Sequence, residues 1–261
     1  MRSLSIAATG MLSQQLNVEV ISNNIANMNT TGFKRQRAAF QDLLYQSIRR
    51  VGSSSSDAGT IVPSGVQIGV GVKAGSVYRV SEQGDLKITE NPLDVAINGR
   101  GFLRVQLPTG EDAFTRDGSL AIAPDGQIVT QDGFTVAPGL TIPNNAQQIT
   151  INDNGEVLVK LAGQTAEQNI GQLELVNFFN EGGLEAVGDN LFLETAGSGA
   201  ATTGVPGQAG FGTIQQGFLE TSNVNPVQEI TSLITAQRAY EMNSKVITAS
   251  DEMLATVNTL R

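Results

Sequence analysis

Three groupings in this sequence have residue types and spacing that could do chemistry. Gly69-Val70-Gly71-Val72-Lys73-Ala74 fits the loose glycine pattern of a dinucleotide loop, with Glu90 and Asp94 near the distance of a ribose-binding acid. That loop needs a preceding strand and a following helix. No amphipathic period follows Gly71, so a glycine-rich strand or bend is the better reading. Asp153-Asn154-Gly155-Glu156 offers oxygens like the start of a calcium loop, but the rest of the ligand ladder is missing and Asx-Gly is an ordinary turn. The 19 acidic residues between positions 51 and 225 could supply a carboxylate pair for glycoside hydrolysis. Most stand beside turn glycines, and no pair is singled out. A lysine-assisted serine nucleophile has neither a G-x-S-x-G elbow nor an S-x-x-K motif to rest on.

Composition narrows the chemistry further. The 261 residues include no Cys, no His and no Trp. Disulfides, thiolate nucleophiles, Cys/His zinc sites, imidazole acid–base chemistry and the Ser-His-Asp triad are excluded within one chain. A cysteine-free chain fits the cytosol, and equally an exported protein that needs no disulfides. The net charge of −9 divides unevenly: +4 over residues 1–50, −12 over 51–225 and −1 from 226 onward. An acidic middle argues against nucleic acid as a partner, because phosphate contacts need clustered Lys and Arg. The small basic cluster Lys34, Arg35 and Arg37 reads as a solvated face or as partners for nearby carboxylates. No apolar run is long enough to span a membrane. The uncharged stretch 3–18 is broken by polar residues and continues in helical register, so no cleaved signal peptide is expected.

Both ends of the chain carry helical apolar stripes. Leu4, Ala7, Met11, Gln14, Val18, Ile21, Ile25 and Met28 step by three and four, which lines one face of a helix expected from an N-cap at Ser3 to about Met28. At the other end, Asn225 can cap, Pro226 suits the first helical position, and neither Gly nor Pro interrupts residues 227–261. Leu233, Tyr240, Ile247 and Leu254 recur there at seven-residue spacing. Ala239, Met242, Val246, Ala249 and Met253 form a second stripe on another face. The simplest expectation is that the two ends bury stripes against each other. The second stripe then wants further partners, which other copies of the chain could supply.

The middle reads as β structure. Turn glycines at 110, 118, 126 and 133 separate short runs such as Phe102–Leu107, Ser119–Ala123 and Gln127–Thr130, which predicts an antiparallel meander. Further strands are expected at Gln148–Ile151, Val157–Leu161, Gln172–Phe178 and Asn190–Glu194. Residues 52–60 read as a flexible linker and 195–212 as a long glycine-rich loop. Phe33–Arg50 fits either a helix or an extended segment. Ser22-Asn23-Asn24-Ile25-Ala26-Asn27 has two readings: helix termination, or amide hydrogen bonds that fix register between packed helices.

Three separated motifs carry a family resemblance. Ser22–Asn27 followed by Thr31-Gly32-Phe33-Lys34-Arg35 resembles the N-terminal signature of the bacterial flagellar rod and hook axial proteins. Ser222-Asn223-Val224-Asn225 with Ala236-Gln237-Arg238-Ala239-Tyr240-Glu241 is similar to their C-terminal signature. Asp94–Phe102 with Phe114-Thr115-Arg116-Asp117-Gly118 is similar to their shared β domain. The likeness covers nearly the whole chain. Residues 33–46 and 63–69 look most like the distal rod branch, with proximal rod and hook paralogues as the nearest alternatives.

The resemblance implies an α+β fold, with N- and C-terminal helices paired as a coiled coil around an intervening, mostly antiparallel β domain. Expected boundaries are 1–32 for the N-terminal helix, 33–70 for a connecting segment, 71–222 for the β domain and 223–261 for the C-terminal helix. It implies a structural subunit of the distal rod, a self-assembling tubular drive shaft that transmits torque across the periplasm. The expected partners are further copies of itself, proximal rod proteins, the hook protein, ring proteins at the peptidoglycan and outer membrane, and the flagellar type III export machinery. Export would proceed without a cleaved signal. No catalytic residue, metal or cofactor is expected. The expected assembly interface is Leu4, Ala7, Met11, Val18, Ile21, Ile25, Met28, Ile230, Leu233, Tyr240, Met242, Val246, Ile247, Met253 and Leu254, and the family motif residues are Asn23, Asn24, Asn27, Thr31, Gly32 and Phe33. A glycan-acting periplasmic enzyme with a carboxylate pair in the β domain is the alternative from another class.

Overall fold

A computed structural model describes residues 2–49, 64–164 and 166–259. The serine-rich piece 52–60 lies outside the described residues. The chain folds as two compact units. One comprises Met1–Ile25, Gln36–Tyr78 and Asn225–Arg261, and the other Ala26–Arg35 and Arg79–Val224.

The first unit is built on two helices, α1 (Arg2–Ala26) and α2 (Pro226–Thr259). Asn225 caps α2 as its sequence predicts: its Oδ1 accepts the backbone N–H of Val227 at 3.1 Å and of Gln228 at 3.3 Å. Ser3 does not cap α1, because the helix already includes Arg2, and α1 stops two residues short of Met28. The ambiguous segment after residue 33 is extended, as β1 (Gln36–Asp42) and β2 (Tyr45–Arg49). β2 pairs antiparallel with β3 (Val66–Gly69), and β1 pairs with β4 (Val72–Arg79). A strand follows Gly71, which removes the dinucleotide-loop reading. Gly71 has φ +136°, and a Cβ there would lie 2.2 Å from Thr9 Oγ1. The glycine is required by the close approach of α1.

The second unit is all β. In chain order it runs β5 (Leu86–Ile88), β6 (Val95–Asn98), β7 (Phe102–Gln106) and β8 (Asp112–Thr115), then β9 (Leu120–Ile122), β10 (Ile128–Thr130) and β11 (Thr135–Val136). It continues through β12 (Ala146–Ile151), β13 (Glu156–Leu161), β14 (Glu167–Gln172), β15 (Leu175–Asn177) and β16 (Glu185–Gly188). It closes with β17 (Leu191–Leu193), β18 (Thr202–Gly204), β19 (Thr213–Gln216) and β20 (Phe218–Glu220). The largest sheet has the order β16-β17-β8-β7-β11-β10-β9, with β15 joined to β7 and β18 to β15. β12-β13-β14, β19-β6 and β20-β5 form smaller antiparallel sheets.

The predicted meander is only partly realised. Gly110, Gly126 and Gly133 adopt φ of +86°, +85° and +86° and turn the chain, as expected. Gly118 does not make a hairpin. β8 and β9 on either side of it are separated in the sheet by β7, β11 and β10. Here the glycine serves a close backbone contact instead: a Cβ would lie 1.6 Å from the Val95 carbonyl oxygen. The single strand expected over Gln172–Phe178 is broken, since Leu173 N–H leaves the ladder to bond Gly155 O at 2.8 Å. The loop expected at 195–212 contains β18, paired with β15.

Alternating inward residues fill two cores. One includes Ile97, Leu103, Val105, Val157, Val159, Leu175 and Ile214. The other is aromatic, with Phe114 and Phe178 edge-to-face at 4.8 Å and Phe102 against Phe178 and Phe192 at 6.1 and 6.0 Å.

Candidate assembly surface and a buried charge cluster

In the helical unit, α1 and α2 run antiparallel and touch through small and polar residues. Ser250 Oγ lies 3.3 Å from Ser3 Oγ. A Cβ built on Gly10 would lie 3.0 Å from Asn243 Nδ2. Asn24 Nδ2 donates to Glu229 Oε2 at 3.1 Å. Each step of seven or fourteen residues up α1 is matched by the same step down α2, so the contacts keep a heptad register. That register sets half-buried Asn17 level with Ala236, which is 2% exposed.

The apolar stripes flank this seam: Ala7 and Ile21 are buried beside it and Leu233 and Ile247 half-buried. The seam runs along Ser3, Gly10, Asn17 and Asn24 on one helix and Glu229, Ala236, Asn243 and Ser250 on the other. Small side chains let two helices approach more closely than rows of Leu or Met would, since interaxial distance follows contact side-chain size.

The amide reading of the asparagine stretch is realised at Asn24. Its side chain poses as a strand residue toward β1, donating to Gln36 O and accepting from Gln36 N, both at 2.8 Å, while also reaching Glu229. Asn23 is exposed. Asn27, past the helix end, accepts from Thr30 Oγ1 at 3.1 Å.

The expected interface residues fall into two sets. Ala7 and Ile21 are buried, while Leu4, Met11, Val18, Ile25, Leu233 and Ile247 are half-buried. Met28, Ile230, Tyr240, Met242, Val246, Met253 and Leu254 are exposed. The second stripe of α2 stands in solvent: Met242 and Met253 are each 61% exposed and Val246 46%. Val18 and Tyr240 line a groove of about 490 Å³ with Gln15, Glu19, Gln237 and Glu241.

In the β unit, residues of the N-terminal and central signature motifs meet at one buried carboxylate, Glu220, two residues before the C-terminal motif. Glu220 Oε1 accepts Lys34 Nζ at 2.5 Å and Gly84 N–H at 2.9 Å, and Glu220 Oε2 accepts Arg116 Nε at 2.7 Å. Arg116 also donates to the carbonyls of Gly101 at 2.7 Å, Gly99 at 2.5 Å and Ile97 at 3.3 Å. Gly32, at φ +67°, donates its N–H to Glu220 O at 2.8 Å. Asn223 Oδ1 accepts Arg35 N–H at 2.7 Å, and its amide donates to Val80 O at 3.0 Å and Glu82 O at 2.9 Å. Phe33 O accepts from Asn223 N at 3.4 Å, while Thr31 is half-buried.

Burial works to raise the Glu220 pKa, yet Arg116 and Lys34 outweigh it and hold the carboxyl below its ordinary 4.5. Burial pushes the Lys34 ammonium down, offset in part by the carboxylate it shares with Arg116. The basic cluster thus contributes a buried structural pair at Lys34. Sequence reasoning missed Glu220, Arg116 and the seam residues Gly10, Ala236 and Asn243 as positioned groups. For Arg116, Ala236, Glu220 and Asn243 the available signal was position inside or near the signature motifs; Gly10 carried none.

Among the described residues there is no cluster of three or more His, Cys, Asp or Glu side chains that could hold a metal, and no helix is long and apolar enough to cross a membrane.

Three family models match the chain in order. Residues 4–34 match "Flagella basal body rod protein", 96–159 "Flagellar hook protein FlgE/F/G D1 domain" and 215–260 "Flagellar basal body rod FlgEFG protein C-terminal". The flagellar basal-body rod protein FlgG of Caulobacter vibrioides is 63% identical over 261 residues, covering all of both chains. FlgG of Agrobacterium fabrum is 50% identical over 258 residues, covering 99% of this chain and 98% of its own. The flagellar hook-basal body complex protein FlhP of Bacillus subtilis is 33% identical over 275 residues and all of both chains. The matched segments contain most of the seam helices, the turn between β6 and β7 and the Lys34, Arg116 and Glu220 side chains, and the chain belongs to the FlgG family of flagellar basal-body rod proteins, structural subunits and not enzymes.

Proposed function

We propose that this chain is a subunit of the flagellar distal rod that assembles with copies of itself into a tubular drive shaft. In this reading α1 and α2 form a coiled-coil inner layer spanning roughly 1–32 and 223–261. Residues 33–70 connect it to a β domain at 71–222. The rod would cross the periplasm and pass torque from proximal rod proteins to the hook protein, within ring proteins at the peptidoglycan and outer membrane. Delivery would be by the flagellar type III export machinery, without a cleaved signal. Load is then carried by many repeated contacts and no reactive group is needed.

One observation carries the assembly reading. The helices of a single copy meet along a seam that includes small and polar residues, and the second apolar stripe of α2 is left uncovered. A helix with that much exposed apolar surface wants partners of the same periodicity, which a helical homopolymer supplies. Identity of 63% and 50% to rod proteins, and of 39% to the rod protein of Bacillus subtilis against 33% to FlhP of the same organism, favours the rod over a hook-complex role. Electron cryomicroscopy of the assembled material tests it. A tube with both helices lining the lumen is expected; a polymer built through the β units, with α2 outside, would overturn the assignment.

A further inference from the structure

The β unit holds a small cavity, about 20 Å³, lined by three cations: Lys34, Arg79 and Arg116. Ser81 and Phe192 also line it, as does one carboxylate, Glu181. The negative charges nearby are already engaged. Glu181 Oε1 takes both Arg100 Nη2 at 3.1 Å and Arg100 Nε at 3.2 Å. Glu220 is divided between Lys34 and Arg116 and completed by the Gly84 N–H. Three cations, Lys34, Arg116 and Arg100, thus share two carboxylates around this cavity, and Arg79 adds a fourth positive charge.

Arg79 stands apart. Its Nη2 donates to the Leu184 carbonyl, and its guanidinium lies over the Phe192 ring at 4.6 Å. Among the described residues no carboxylate forms an ion pair with it. Burial lowers its pKa, with no charged neighbour contributing. Arg116 uses four of its five N–H donors on Glu220 and three carbonyls, and Lys34 gives a second proton to Glu82 O at 2.8 Å, which leaves Arg79 and the third Lys34 proton as the main donors able to serve a guest.

We propose that this cavity binds one small monovalent anion of halide size, between Arg79 and Lys34. The charge surplus selects an anion. The volume selects its size: the enclosed part takes about one water-sized sphere, which suits chloride or bromide better than the five-carbon skeleton of a free glutamate. The acidic character of residues 51–225, at −12, makes this island of positive charge exceptional in its region and keeps the affinity modest. The inference does not depend on rod assembly.

The test compares thermal unfolding of the full chain in sodium chloride and in sodium glutamate at matched ionic strength. A halide at ten times its Kd should multiply the folding equilibrium constant about elevenfold over glutamate, and the effect should saturate. Arg79→Gln should remove the chloride increment. If Arg79→Gln does not fold, bromide soaked into crystals of the unaltered chain decides, with an anomalous peak expected between Arg79 and Lys34. Superimposable chloride and glutamate curves for the unaltered chain, a chloride increment that survives in Arg79→Gln, or a cavity without bromide would each overturn the proposal.

Discussion

Replacing the solvent-facing stripe of α2 should separate assembly from folding. The perturbation is the triple substitution Met242→Gln, Val246→Gln and Met253→Gln. Each of these side chains is about half uncovered in the single copy, at 61%, 46% and 61%. Fully burying such a side chain is worth roughly 1.5–3 kcal/mol, so covering the remaining half contributes about 1 kcal/mol each and about 3 kcal/mol together. At 1.4 kcal/mol per tenfold, the critical concentration for polymerisation should rise about 100-fold. The isolated chain should barely notice, because exposed substitutions to a good helix former change stability by about 0.5 kcal/mol or less each. The assay is seeded polymerisation followed by pelleting and negative-stain microscopy, with helical circular dichroism of the dilute chain as control. A critical concentration within about threefold of the parent would refute the reasoning. So would a loss of helix in the dilute chain, since it would mean that the stripe serves the subunit's own fold.

Four other outcomes follow from the geometry. Glu220→Ala strands Lys34 and Arg116 in a buried site and should cost about 3–5 kcal/mol, lowering the melting temperature of the β unit by about 10 °C in calorimetry. Because the folded-state pKa of Glu220 is depressed, its stabilising contribution is complete above pH 4.5 and is lost as pH falls through the folded value; acid titration of the melting temperature should be shallower in Glu220→Gln. Gly118→Ala forces a Cβ to within 1.6 Å of a backbone oxygen and should prevent folding of the β unit, whereas Gly133→Ala meets nothing within 4 Å and should cost about 1–2 kcal/mol for its left-handed backbone, as read by denaturant unfolding. Hydrogen exchange of the dilute chain should show α1 and α2 exchanging faster than β7, β13 and β15, because a narrow seam with much apolar surface of α2 still exposed resists opening weakly; equal protection would contradict the need for neighbours.

Much of the architecture was legible because it rests on local chemistry. The cap at Asn225, the left-handed turns at Gly110, Gly126 and Gly133, and the strands around Phe102 and Val157 each follow from a few adjacent residues. What was hidden depends on distant partners. Gly118 has the same turn signature as its neighbours, and only the Val95 carbonyl makes its role different. The helical stripes were readable as periodic, but periodicity does not say which face meets which partner. The contact line within one copy includes small and polar residues, Ser3, Gly10, Asn24, Asn243 and Ser250, which a search for apolar residues passes over. Glu220 was hidden for the same reason: Lys34, Arg116 and Glu220 are far apart in sequence, and a lone acid in a strand carries no mark of burial.

The seam between α1 and α2 also bears on mechanical slip. Apolar contact is non-directional and nearly indifferent to a small axial slide. A hydrogen bond such as that from Asn24 to Glu229 weakens steeply once its geometry is displaced, and Ser3 with Ser250 holds the far end of the same seam. The chain therefore places directional contacts where its own two helices must not creep past each other. Its forgiving apolar surface faces outward, where a neighbouring copy could shift slightly under load without breaking away.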